Sequence, residues 1–262
     1  MRALSPPCVR CVARETITGL ERVVLRLRQI AVVADELAPQ VADFTRILGA
    51  EVCYRDPGVG KYGLENALWA LGGTFLEALA PTRPDTTAGR YLDRRGGPTG
   101  YMLILDTDDI AAVRLRMTML GMRIVEDLTV DLHGQQATAL HLHPRDTGGC
   151  LLSIDRHGPN PALMGSYAWA GPDWQRACRP DRAITGVVLA ADQPMDLIGR
   201  WGAILARPWE QLGDTWRIRL DHGQIDVVPV RDGRGEGLSA IRVAGLAAPA
   251  HACGIDLLPE DG

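Results

Sequence analysis

Lysine is almost missing from this chain: of 28 basic residues only Lys61 is not an arginine. The basic side chains are scattered and the formal net charge is −4, so no positive stripe marks a nucleic-acid or acidic-membrane partner. Aromatic residues make up only 5% of the chain, a thin supply for a pocket that would grip its ligand by stacking alone. Long apolar runs are absent too. None approaches the roughly 18 residues that a membrane helix needs, and the opening segment lacks the continuous apolar core of a signal peptide. The six cysteines are dispersed and do not form a secreted disulfide framework. The pair Cys8 and Cys11 in "SPPCVRCVARET" stands alone in a tail-like context. These absences predict a cytoplasmic protein with a small-molecule partner, with neither nucleic acid nor membrane as partner.

What the chain does have is internal repetition, a signal to be sought before any local pattern. "RLRQIAVVADELAPQVADFTRILGAEVCYRD" reads as strand, turn, amphipathic helix and strand, with Val41, Phe44, Ile47 and Leu48 spaced to one helical face. "NALWALGG" and "TFLEALAPT" add two more strands, completing a βαβββ unit. "TGYMLILDTDDIAAVRLRMTMLGMRIVED" begins the pattern again, and "QATALHLHP" with "GGCLLSIDR" closes it. A third opening, "AITGVVLAADQPMDLIGRWGAILARPWE", leads to "TWRIRLDHG" and "QIDVVPV". A fourth, "GEGLSAIRVAGL", runs to "GIDLLPEDG" with no helix between. The predicted organisation is a flexible tail over 1–22, a complete pair of modules over 23–157, a Pro/Gly/Trp linker packed by its own aromatics over 158–182, and a degenerate second half over 183–262.

The order and spacing of "LRQIAVVADEL…LGAEV", "FLEALAPT", "GYMLILDTDDI…LGMRI" and "HPRDTGGCLLSID" resemble the vicinal oxygen chelate superfamily. Glyoxalase I, methylmalonyl-CoA epimerase, extradiol dioxygenases and bleomycin-resistance proteins share that fold. The resemblance implies an α+β protein of tandem βαβββ modules, with cup-shaped mixed sheets and helices outside. It also implies four inward slots around a divalent cation. Here those slots hold Gln29, Glu77, Met102 and Ser153, where histidine, glutamate, histidine and glutamate are usual. Only Glu77 suits a hard or borderline cation, so the expectation is no metal and no cofactor.

Glu77 lies in an apolar strand, where a carboxylate is seldom buried without a partner or a task. It is the expected base. Gln29 and Ser153 are expected to orient the substrate and Met102 to line an apolar wall, while His141 and His143 share a strand face and are carried as substrate contacts. His143, next to Pro144, also suits a turn cap. Tyr54, Tyr62 and Trp69 are candidate cup linings, with the core as the usual place of aromatic residues in strands. Arg90, Arg94 and Arg95 form a basic loop able to meet an anionic substrate tail, although such a loop is more often a solvated surface. Asp108 and Asp109 read as helix caps, and Cys150 reads as core. No Ser-His-Asp order or phosphate-cradling glycine loop is present.

The function read from this set is a metal-independent isomerase or lyase. It would abstract a proton next to the carbonyl of a small or acyl substrate, and homodimerisation is compatible with it. Two rivals stand beside it: a non-catalytic sequestering protein of the bleomycin-resistance type, and a metalloenzyme using a displaced set such as Gln29, Glu77 and His141.

Overall fold

A computed structural model describes residues 22–231 and 233–260; the Cys8–Cys11 pair and most of the expected tail lie outside them. The first half runs β1 (Leu25–Val33), α1 (Leu37–Leu48), β2 (Leu64–Leu71), β3 (Thr74–Pro81), α2 (Thr87–Arg95), β4 (Thr99–Thr107), α3 (Ile110–Met119), β5 (Ile124–Leu132), β6 (Gln135–Leu142), α4 (Pro144–Thr147) and β7 (Leu151–His157). The second half runs β8 (Ala183–Ala191), α5 (Pro194–Leu205), β9 (Trp209–Leu212), β10 (Thr215–Arg219), β11 (Gln224–Pro229), β12 (Gly237–Ala244), β13 (Ala250–Ala252) and β14 (Ile255–Pro259). Each half builds one seven-stranded mixed sheet, ordered β2-β3-β1-β4-β7-β6-β5 and β13-β14-β12-β8-β11-β10-β9.

In each half the central pair is antiparallel, β1 with β4 and β8 with β12, and each of these strands has a parallel neighbour on its other side. A parallel pairing needs a crossover, which helices supply in three modules. The last module returns through β13 alone, in keeping with the missing helix of the sequence pattern. Alternation along β1 sends Leu25, Leu27, Ile30 and Val32 to the helix side, where they join Phe44 and Leu48 of α1, Val113 and Met117 of α3, and α5 residues such as Trp201. This one apolar cluster spans both halves. Gly100 lets them approach: a Cβ there would lie 2.5 Å from the Leu238 carbonyl oxygen of β12.

Three local expectations need correction. The strand expected after "LGAE" shrinks to an isolated Tyr54–Leu68 bridge, because Pro57, which lacks a backbone donor, starts a 3₁₀ turn over Pro57–Tyr62. The "basic loop" is helix α2, capped by Thr86, whose Oγ1 accepts from the Gly89 amide at 2.9 Å, and ended by left-handed Gly96. The segment 158–182 does not pack only on itself. It folds into the concave face of the first sheet, where Tyr167 stacks on Phe75 with ring centroids 4.2 Å apart and Trp174 meets the same ring edge-on at 4.9 Å. Gly171 allows the approach, since a Cβ there would fall 2.5 Å from the Tyr54 ring.

Candidate active site

The concave face of the first sheet is lined by the residues that alternate away from the core. Phe75, Glu77 and Leu79 come from β3, Asn66 and Leu68 from β2, Met102, Ile104 and Asp106 from β4, and Leu151, Ser153, Asp155 and His157 from β7. Register puts Ala31 beside both Glu77 and Met102, with Leu151 next to Met102. Two irregularities in the β1–β4 pairing leave Arg28 and Tyr101 without cross-strand partners. Such bulges add an extra side chain to one face of a sheet.

Glu77 is only 7% exposed. Gln29 Nε2 donates to its Oε2 at 2.7 Å and Asn66 Nδ2 to its Oε1 at 2.6 Å. Both amides are themselves fixed. The Tyr167 hydroxyl donates to Gln29 Oε1 at 2.7 Å, and the Asp56 backbone amide donates to Asn66 Oδ1 at 2.8 Å. The Asn66 oxygen is held by a backbone amide, an obligate donor, and the Gln29 oxygen accepts from the Tyr167 hydroxyl, so each amide turns its nitrogen toward the carboxylate. Burial pushes the Glu77 carboxyl up and the two amides pull it back down, leaving it at about 7.

The lower half of the cup is a buried polar network, in which one Arg28 nitrogen and His157 Nε2 have no hydrogen-bond partner among the described residues. Asp106 accepts from Arg26 at 2.8 and 2.9 Å and also from the fully buried Arg28, whose guanidinium lies 4.7 Å from the Tyr167 ring centroid. Asp155 accepts from Ser153 Oγ and from Trp169 Nε1. Its carboxyl is raised to about 7 by burial, with the Asp106 charge adding to the rise. His157 is held well below the usual imidazole range by burial, with Arg28 and Arg26 adding. The segment 158–182, through Tyr167 and Trp169, forms a plug against this end of the cup.

The structure brings Gln29, Glu77 and Met102 to one region, Met102 packing in an apolar cluster with Ala31, Val33, Leu79, Tyr101 and Leu151. Ser153 needs correction as an orienting donor: its only hydroxyl hydrogen goes to Asp155. Gln29 directs an N–H at the base itself. His141 sits at the rim, 3.2 Å from Glu126, which also accepts from the Tyr62 hydroxyl at 2.8 Å and ties the Pro57–Tyr62 turn to β5 and β6. His143 is a correction as a substrate contact, because its Nδ1 caps α4 by accepting from the Arg145 amide at 3.1 Å.

Trp69 faces the core, not the cup, donating to Thr45 Oγ1 and meeting Phe44. Arg90 holds its own loop at Asp85 and Thr87, Arg95 binds carbonyls of Arg234 and Glu236, and Arg94 lies over the Tyr91 ring. Asp109 caps α3, while Asp108 accepts instead from the Val24 amide. Asn66, Tyr167, Trp169, Arg28, Asp106 and Asp155 were missed from the sequence. Only Asp106 and Asp155 carried a signal, as charged residues placed by alternation on the inward face.

The four slots do not fit the divalent cation of the superfamily. Glu77 is the one anionic group among them, the sole acceptor of Gln29 is taken by Tyr167, and Met102 and Ser153 supply a thioether and a committed hydroxyl. Among the described residues no group of three or more His, Cys, Asp or Glu is arranged to hold a metal ion. None of the described helices is long and apolar enough to cross a membrane. In the second sheet, Thr185, Arg217, Arg219, Gln224, Arg242 and Glu260 line a cavity of about 250 Å³, with Asp226 paired to Arg217 at 2.6 and 2.8 Å.

Tyr167 should govern the protonation of Glu77 through Gln29. In Tyr167→Phe the amide is free to turn its oxygen toward the carboxyl, so the Glu77 titration should move upward by about one pH unit. Carbon-13 NMR of labelled glutamate reads this directly, and an unchanged titration would show that Tyr167 does not set the amide.

The sequence pattern of the family described as glyoxalase-like domain matches residues 30–205. The ethylmalonyl-CoA/methylmalonyl-CoA epimerase of Cereibacter sphaeroides is 24% identical over 131 residues, 50% of this chain and 97% of that protein. A hypothetical protein from Staphylococcus aureus superposes with a TM-score of 0.67 at 14% identity, covering 89% of this chain and 98% of its own. A triple mutant of 4-hydroxymandelate synthase from Streptomyces coelicolor superposes at 0.61 and 14% identity, covering 85% and 71%. These two likenesses bear on the fold alone, and both extend across the two halves. The chain is a glyoxalase-like member of the vicinal oxygen chelate superfamily.

Proposed function

We propose that this protein is a metal-independent isomerase that moves a proton on the carbon next to the carbonyl of a small acyl substrate, with Glu77 as the base. The observation that carries this reading is the Glu77 carboxylate held between two fixed amide donors in an apolar cup, at a pKa of about 7. A base with that pKa is half deprotonated near neutrality and still strong enough to take a proton. Each carboxylate oxygen keeps a lone pair beyond its amide bond. The fixed donors favour the ionised form, so the proton taken from carbon leaves Glu77 readily, and an isomer forms when the enolate is reprotonated on its other face. The epimerase relative names malonyl-type CoA esters as its substrates, and an acidic C–H between two carbonyl groups is the kind that an unassisted carboxylate can remove.

Incubation with methylmalonyl-CoA and ethylmalonyl-CoA in deuterium oxide tests the reading. Loss of the α-proton signal by NMR is expected at pH 7.5. Tight binding of these esters without exchange would replace the enzyme by a sequestering protein.

A further inference from the structure

We propose that the Tyr101 hydroxyl donates the hydrogen bond that stabilises the oxygen of the enolate formed when Glu77 takes the proton; this rests on the proton-abstraction reading above. Without a cation, the developing oxyanion needs a donor whose hydrogen is not already committed. Ser153 gives its hydrogen to Asp155, Tyr167 gives its own to Gln29, and Tyr62 gives its own to Glu126. Among the described residues none is hydrogen-bonded to the Tyr101 hydroxyl, although the residue is only 9% exposed.

Its position follows from the backbone. The register shift between β1 and β4 leaves Tyr101 as the extra residue between Met102, paired with Ala31, and Gly100, paired with Val32. The bulge turns Tyr101 into the apolar cluster with Ala31, Val33, Leu79, Met102 and Leu151. Ala31 is the register partner of Glu77, so Tyr101 lies two strands from the base, about 10 Å between backbones. The ring is held edge-on by Tyr91 at 5.3 Å, and Tyr91 is anchored through its hydroxyl to the Gly100 carbonyl at 3.1 Å. Burial, with the Tyr91 and Glu77 charges adding, pushes the phenol up to about 12, so Tyr101 stays a neutral donor through the working pH range.

The step balances without a co-reactant. The C–H bond breaks, its proton goes to a Glu77 oxygen, and its electron pair forms a carbon–carbon double bond as the carbonyl π pair moves onto oxygen. Tyr101 keeps its proton while bonding that oxygen; return of the proton from Glu77 to the same face regenerates the substrate, and an isomer forms when the enolate takes a proton from water on its opposite face.

The test compares wild type, Tyr101→Phe and Glu77→Gln for exchange of the methylmalonyl-CoA α-proton in deuterium oxide. Tyr101→Phe should exchange roughly 10²- to 10³-fold more slowly at saturation, with half-saturation changed less than about 3-fold. Its melting temperature should be unchanged, because the lost hydroxyl is hydrogen-bonded to none of the described residues. The lower limb of its pH profile, set by Glu77, should stay in place. Wild-type rates in Tyr101→Phe beside a dead Glu77→Gln would remove Tyr101 and leave the base standing. Exchange retained by Glu77→Gln, or none by wild type, would overturn the base and this inference with it.

Discussion

Glu77→Gln is expected to slow α-proton exchange by roughly 10² to 10⁴ while leaving binding of the acyl substrate within a few-fold of wild type. The substitution is close in shape but not silent in hydrogen bonding. A glutamine side chain has one acceptor and one donor end, whereas Gln29 and Asn66 both present N–H groups held by Tyr167 and Asp56. One donor–donor confrontation must follow, at a cost of about 1–3 kcal/mol. The cost depends on pH with a definite sign. Because the folded pKa of about 7 lies above the ordinary glutamate value of 4.5, the native protein holds a proton there that the unfolded chain releases, so the Glu77 contribution to stability falls as pH rises from 4.5 to 7. His141, His157 and His222, all lowered by burial, act in the opposite direction below the ordinary histidine pKa, and Asp155 acts in the same direction as Glu77. The difference between variant and wild type isolates Glu77. In urea titrations, Glu77→Gln should gain on wild type by up to about 1.4 kcal/mol per pH unit across that window. A difference that is flat with pH would contradict a raised Glu77 pKa.

Asp106→Asn should produce the largest loss of stability. Asp106 is 2% exposed and neutralises two guanidinium groups, one of them the fully buried Arg28. Asparagine removes the charge and turns an N–H end toward the guanidinium donors, leaving Arg28 as a cation without its anion. Breaking a buried pair from one side costs about 3–5 kcal/mol, which for a chain of this size lowers the melting temperature by roughly 6–20 °C. Arg28 also lies over Tyr167, so the plug should loosen and the Glu77 titration should move with it. Adding Arg28→Met to Asp106→Asn should recover part of the loss, since no buried cation then remains at that position. A single variant within about 1 kcal/mol of wild type would show that the buried pair is not what secures the plug.

Much of the secondary structure was legible because its signals are local. Val41, Phe44, Ile47 and Leu48 mark a helical face, and "TFLEALAPT" alternates as a strand whose Glu77 must point inward if its aliphatic neighbours point to the core. Repetition of these units suggested paired cups, and the lost helix after "SAIRVAGL" could be read as an absence. The errors also have local causes. "GRYLDRRGG" looked like a loop because its charges conceal a nine-residue helix, and "EVCYRD" looked like a strand because the effect of Pro57 on pairing depends on what lies alongside.

The resemblance to the vicinal oxygen chelate superfamily put Gln29, Glu77 and Met102 in inward slots, and strand alternation by itself said only which residues of one strand share a face. Tertiary structure decided what those residues do. Side chains distant in sequence set the direction of each amide at the base: Tyr167 lies 138 residues from Gln29 and orients it through a hydroxyl brought there by the linker. The same linker supplies Trp169 to Asp155, while two bulges in the β1–β4 pairing give Arg28 and Tyr101 their places. Local periodicity carries no record of such contacts. A hydrogen bond's direction and a carboxylate's pKa depend on which groups arrive from elsewhere and on the water they displace.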